Sequence, residues 1–155
     1  MKQPKLIEVK VIIEVDECAD LSYLGEFSNK AEKAHIDRSE RERIDNTDYR
    51  YFNSGSGDLT FIDEEYKRMQ QFIDGSVQSL YINAIAVVIY SIGSGCSRLE
   101  TLQSGGLGGV DSDSTDEYKE SIINGELADL KQHLQIFNVD VSNFEELAEG
   151  AKAAV

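Results

Sequence analysis

Carboxylates are the side chains this chain has in excess, and between residues 111 and 129 they are close enough together to act as a group. Asp111, Asp113, Asp116, Glu117, Glu120, Glu126 and Asp129 stand there against a single base, Lys119. If most of the stretch is helical, at ~1.5 Å per residue it is about 28 Å long and carries a carboxylate every ~4 Å. That spacing is near the ~3.4 Å phosphate repeat of one DNA strand. A protein groove lined with Arg and Lys for holding nucleic acid can therefore read such a surface in place of phosphates. The residues expected to bind a partner are Asp111, Asp113, Asp116, Glu117 and Glu120, with the aromatic side chains of Tyr23 and Phe27 as a second contact.

Other chemistry is weaker in the sequence. Asp111 and Asp113 share the first spacing of a calcium loop, but the pattern then needs Gly at 116 and Glu at 122, where this chain has Asp and Ile. The glycine run Ser104-Gly105-Gly106-Leu107-Gly108-Gly109 precedes a helix pattern, as phosphate loops do. It lacks both common phosphate-binding signatures, and Asp111, Asp113 and Asp116 stand where a phosphate would approach. The reading is a sharp turn from strand into helix. His35 and His133 are in polar surroundings and read as solvated. Cys18 and Cys96 read as free thiols, and no nucleophile or metal-ligand signature is present. No cofactor and no metal are expected, and the residues point away from an enzyme.

The elements that must position these groups follow from periodicity. Ile7, Val9, Val11, Ile13 and Val15 alternate with charges, which predicts a strand over Lys5 to Val15. Leu21 to Ser28 reads as a loop or short strand pinned by aromatics, and residues 29–48 as an exposed polar loop. Tyr49 to Phe52 predicts a second short strand, closed by Ser54-Gly55-Ser56-Gly57. Thr60 with Asp63 predicts the cap of a helix carrying Ile62, Tyr66, Met69 and Ile73, stopped at Gly75. Leu80 to Ile92, rich in β-branched residues, predicts the central strand, turned at Gly93-Ser94-Gly95 into a hairpin partner over Arg98 to Ser104. Ser114 with Glu117 predicts the cap of a long helix whose buried stripe is Ile123, Leu127, Leu130, Leu134 and Phe137. Ser142 with Glu145 opens a short C-terminal helix.

These elements make an α+β fold: a small, mostly antiparallel sheet of about three to four strands, with two longer helices and a short C-terminal helix packed against it. At 155 residues the chain reads as one domain. Its 29 acids and 15 bases give a net charge of −14. Residues 99–155 hold 12 acids and 3 bases, net −9, so the acidity is concentrated C-terminally. A field of that sign repels nucleic acid and anionic membranes and favours basic protein faces or simple solubility. Neither a signal-peptide core nor an apolar run of ~18 residues is present, so the chain reads as neither secreted nor membrane-spanning.

Four stretches carry a further likeness: Asp20-Leu-Ser-Tyr-Leu-Gly-Glu-Phe-Ser28, Tyr49-Arg-Tyr-Phe52, Glu65-Tyr-Lys-Arg-Met69 and Ser104-Gly-Gly-Leu-Gly-Gly-Val-Asp-Ser-Asp-Ser114. In order and spacing, from about residue 7 to 137, they resemble a group of small acidic proteins of bacteriophages, prophages and plasmids. Members carry Trp where this chain has Gly108. The resemblance implies a mobile-element protein working in the cytoplasm of a bacterial host, and it implies no catalytic residues.

Three functions follow as expectations. The first is a non-enzymatic protein-binding domain whose acidic, DNA-mimic-like helical face inhibits a basic partner, with a nucleic-acid-binding defence protein of the host as the implied target. The second is an accessory or structural protein that forms a homo-oligomer, docking through the aromatic loops of Tyr23, Phe27, Tyr51 and Phe52. The third is a small divalent-ion-dependent hydrolase using loop carboxylates.

Overall fold

The computed structural model describes residues 3–39 and 49–155. In chain order the elements are β1 (Lys5–Val15), β2 (Gly25–Ser28), β3 (His35–Asp37), β4 (Tyr51–Ser54), α1 (Ile62–Ile73), β5 (Ser79–Gly93), β6 (Cys96–Gln103), β7 (Leu107–Asp111), α2 (Asp116–Ile136) and α3 (Phe144–Ala153). The α+β class is the one expected from the sequence. The strands form two sheets, one of four strands and one of three. Where the sequence reads as one domain, the chain packs into two compact units, Met1–Asp16 with Leu80–Val155, and Glu17–Ser79.

The first unit is built on β5. β1 pairs antiparallel along one edge, from Lys5 opposite Ile89 to Val15 opposite Leu80. β6 pairs antiparallel with the other edge, from Ile85 opposite Gln103 to Gly93 opposite Cys96, and β7 also pairs with β5. The hairpin turns through Ser94 and Gly95 at φ 52 and 78, the two positive angles that a tight turn between twisted strands requires. Alternation along β5 puts Ile82, Ala84, Ala86 and Val88 on one face, all fully buried. Ile123, Leu127, Leu130 and Leu134 of α2 and Phe144, Ala148 and Ala151 of α3 join them in one core, with Leu6, Val9 and Val11 of β1.

Three details of this unit depart from the sequence reading. The cap of α2 is Thr115 rather than Ser114, its hydroxyl accepting from the Tyr118 N–H at 3.2 Å. α3 is preceded by Asn143 without a side-chain cap, because the oxygen that organises this turn belongs to Asp140, which accepts from the Ser142 N–H. Phe137 is the C-terminal cap of α2 and is exposed, one turn beyond the last residue that reaches the sheet.

The second unit has its own core. β4 is the central strand, flanked antiparallel by β2 and β3, and Leu24, Ile36, Phe52, Ile62, Tyr66 and Met69 are buried together. α1 therefore packs on this sheet and not on the larger one. Its first residue follows Phe61, and Thr60 lies before it in a turn closed by Asp58. β3 falls in the segment read as an exposed polar loop. Ala34, Ile36 and Arg38 are buried there, a period of two that the surrounding charges mask in the composition. Arg38 is accommodated because its guanidinium lies 4.5 Å over the Phe27 ring and its Nη1 donates to the Tyr49 carbonyl. The rest of that predicted loop, residues 40–48, lies outside the described residues.

Glu65 ties α1 to the end of β4. It accepts from the Ser54 hydroxyl at 2.5 Å and from the Ser56 N–H at 3.0 Å. Burial alone would raise its pKa, but these bonds outweigh burial and hold it below the ordinary value. A carboxyl with a depressed folded pKa stabilises the fold above its unfolded pKa, and this contribution is lost as pH falls through the folded value. Glu65→Ala is expected to cost about 1–2 kcal/mol at neutral pH. Below pH ~4.3 the variant should lose less further stability than the parent, a difference measurable by urea unfolding across pH.

Candidate partner-binding face

The acids singled out in the sequence sit where β7 hands over to α2. β7 ends at Asp111, whose carbonyl accepts from the Ser114 N–H, and Lys119 reaches back to donate to the Ser112 carbonyl at 2.6 Å. Asp116 and Glu117 then occupy the first turn of α2, where unsatisfied N–H groups and the helix dipole favour negative charge. The chain forms a tight turn at this point because Thr115 takes an extended conformation, at φ −61 and ψ 150, before helical geometry begins.

The seven acids do not line up as one stripe. At ~100° per residue, Glu117 and Glu120 fall to one side of the apolar stripe of α2 and Glu126 and Asp129 to the other, while Asp116 lies in line with the stripe at its N-terminal end. The outward ridge between the flanks is neutral, formed by Tyr118, Ser121, Gly125, Ala128 and Gln132, all exposed.

Glu126 and Asp129 have a structural job. Asp129 Oδ2 accepts from the Gly105 N–H and Glu126 Oε2 from the Gly106 N–H, each at 2.8 Å. Tyr81 donates its hydroxyl to the Gly105 carbonyl, and Ser104 accepts from the Ala84 N–H through its own hydroxyl. The glycine run is thus a loop clamped by carboxylates of α2, and it leads into a further strand, β7, before the helix begins. Glycine is needed at 106, where φ is 75 and a Cβ would stand 1.9 Å from the Tyr81 hydroxyl. His133 joins the same region, its Nδ1 3.1 Å from the Gln103 carbonyl and its Nε2 3.6 Å from Asp129. It is half-buried and bridges α2 to β6, in place of the solvated histidine expected.

At the start of α2, Asp116, Glu117 and Glu120 are exposed, and among the described residues none of them has a cationic side chain within ion-pair distance, Glu120 acting on Lys152 only at longer range. Asp116 and Glu120 border a cleft of about 530 Å³ whose lining also includes Ile13, Lys119, Ile123, Glu149 and Lys152. Lys152 is committed within the unit: it pairs with Glu149 at 2.5 Å and donates to Asn124 at 3.4 Å. The Glu149 carboxylate holds its pKa above the ordinary lysine value. Lys131 is likewise committed to Glu145 of α3. The bases of this surface are therefore occupied, and three carboxylates are left facing solvent. Asp113 is exposed beside them and Asp111 is half-buried.

The aromatic contact residues lie in the second unit. Tyr23 is exposed on the turn before β2, whereas Phe27 is half-buried and packed against the core of this unit. The Phe27 ring lies 5.2 Å from that of Phe52 and 6.5 Å from that of Tyr66. Phe52, also expected at a docking loop, is completely buried. Cys18 and Cys96 are exposed and not joined in a disulfide.

Among the described residues, no group of three or more His, Cys, Asp or Glu is arranged to hold a metal ion, and no helix is long and apolar enough to cross a membrane. Compared with protein-family models, with curated proteins and with solved structures, the chain finds no match.

Proposed function

We propose that this chain is a non-enzymatic protein-binding domain whose acidic face, at the start of α2, engages a basic surface of a partner. The observation that carries the reading is that Asp116, Glu117 and Glu120 are exposed at the start of α2 with no ion pair among the described residues, while Glu126 and Asp129 further along are tied to the glycine loop. Carboxylates already hydrogen-bonded in the native state have less to offer a partner. Solvated, unpaired carboxylates beside an open cleft can accept bidentate bonds from Arg at little cost to the fold.

The partner class is a protein that grips phosphates with Arg and Lys, and the motif likeness to mobile-element proteins supports a nucleic-acid-binding defence protein of a bacterial host. The patch spans the first turns of the helix, so it imitates a short stretch of phosphates and not the whole ~28 Å ladder that the sequence suggests. Binding to such a patch weakens with salt because the charges are exposed.

The test is capture from a bacterial lysate on the immobilised full chain, followed by elution with a short DNA duplex or with salt. The proposal expects proteins that leave with either eluent and that are lost from the Asp116→Asn/Glu117→Gln/Glu120→Gln variant. The three contacts together are expected to be worth at least about tenfold in affinity, at ~0.5 kcal/mol or more each. Retention of the same proteins by the variant, or failure of DNA to displace them, would overturn it.

A further inference from the structure

The longest unpaired strand edge in the first unit belongs to β1. The strand has 11 residues and pairs with β5 along one side only. Its outer side is covered at the start: Lys5 forms a parallel bridge with Asp140, the Asp140 N–H donates to the Pro4 carbonyl, and Asn143 donates to the Leu6 carbonyl at 3.4 Å. Beyond Leu6, among the described residues, no hydrogen bond reaches this edge. An open row of backbone N–H and C=O groups is a template for another strand.

The surroundings of the edge say what that strand must look like. α3 runs beside β1, and between them lies a cleft of about 520 Å³, lined by residues 8–12 of the strand, by Glu146, Leu147, Gly150 and Ala151 of α3 and by Ala154 and Val155 after it, with Val9, Val11, Leu147 and Ala151 as its apolar floor. A Cβ placed on Gly150 would meet nothing within 4 Å, so the helix leaves room there. The incoming strand must supply apolar side chains on this face. Further along the same face of β1 itself, Ile13 is 39% and Val15 48% exposed, the kind of side chain the cleft lacks.

We infer that β1 is the seam of a homodimer, pairing antiparallel with β1 of a second copy about a twofold axis at Ile12. The uncovered part of the edge runs from about residue 8 to 15, so its midpoint lies between Val11 and Ile12, and the charges choose Ile12. Centred there, Val9 stands opposite Val15 of the second copy and Val11 opposite Ile13 of the second copy, each pair occurring twice by symmetry. On the other face, Lys10 stands opposite Glu14 of the second copy and Glu14 opposite Lys10 of the second copy. In the single chain Lys10 leans on Glu8 at 3.0 Å, an exposed pair that is readily exchanged. Both the apolar and the charged faces of the seam are thus complementary to themselves in one register. A shift of one residue would turn the whole apolar set to the wrong face. A shift of the centre to Val11 would set Glu8 against Glu14. Seven paired residues at ~3.4 Å give a seam about 20 Å long, and the small residues of α3 let the two helices approach beside it.

Charge reversal tests this with its own control, read by sedimentation equilibrium of the full chain. The parent is expected to dimerise. Lys10→Glu sets Glu against Glu twice and Glu14→Lys sets Lys against Lys twice, so each alone is expected to weaken the dimer by about tenfold or more. Mixing the two single variants restores both pairs and is expected to return a heterodimer of near-parental affinity. The doubly reversed chain should recover as a homodimer. A variant that merely misfolds would not be rescued by mixing, so the mixing arm separates the two outcomes. A parent that stays monomeric, a dimer indifferent to both reversals, or an edge taken only by a strand of a different protein would each overturn the inference.

Discussion

Replacing Gly25 by alanine is expected to destabilise the Glu17–Ser79 unit by about 3–5 kcal/mol, the range of a steric change that cannot relax. Gly25 has φ 142, and a Cβ there would stand 2.3 Å from the Asn53 carbonyl oxygen and 2.5 Å from the Phe52 ring. The carbonyl belongs to the strand that β2 pairs with, and Phe52 is fully buried, so neither can move without opening the sheet or the core. Gly55 is under the same constraint, with a Cβ position 2.0 Å from the Tyr23 carbonyl. Two glycines on facing segments let the backbones approach closely where the turn before β2 meets the end of β4. Hydrogen exchange should show amide protection falling first in β2, β3 and β4. Unchanged exchange there would mean that the close approach is not needed.

The second large effect is expected from Glu126→Ala combined with Asp129→Ala. Each substitution removes the acceptor for a glycine N–H. Bonds to a charged acceptor are worth ~1.5–3 kcal/mol when well shielded, and discounted for partial exposure here the pair is expected to cost about 2–4 kcal/mol in all. The loss should appear in thermal unfolding and in faster exchange at Gly105 and Gly106. Neutralising Asp116, Glu117 and Glu120 should, by contrast, cost only about 0.5–1.5 kcal/mol, the favourable interaction of the two first-turn acids with the helix dipole. The same kind of side chain, a few residues apart on one helix, thus has separable roles.

That separation shows where sequence reasoning succeeds and where it stops. The strand over Lys5–Val15, the β-branched run of β5, the tight turn at Ser94-Gly95 and the stripe Ile123, Leu127, Leu130 and Leu134 are local signals legible before folding. The bulge after Leu6, which buries Leu6 in place of Ile7, is not, and of the alternating set only Val9 and Val11 are buried. Two sheets instead of one are not legible, because β3 and β7 are short and set among charges or glycines, and only pairing with β4 and β5 makes them strands. The count of seven acids is legible too. Which of them are tied down is not, since Glu126 and Asp129 find Gly106 and Gly105 across 20 and 24 residues of chain. The i, i+3 spacing of these two acids, after a glycine run able to offer bare N–H groups, is the one signal that points to them. Phe27 shows the converse error: an aromatic in a short, polar-flanked segment reads as a contact residue, and two rings and a guanidinium hold it against the core.

The most direct measurement compares two variants of equal net charge in the same lysate capture, eluted with duplex DNA. One is Asp116→Asn/Glu117→Gln/Glu120→Gln. The other is Glu17→Gln/Glu26→Gln/Glu64→Gln, whose parent side chains are exposed elsewhere. If the start of α2 is the binding face, the first variant loses the DNA-eluted proteins and the second keeps them. Equal loss in both would mean that overall charge alone does the binding, and equal retention would mean that these carboxylates do none of it.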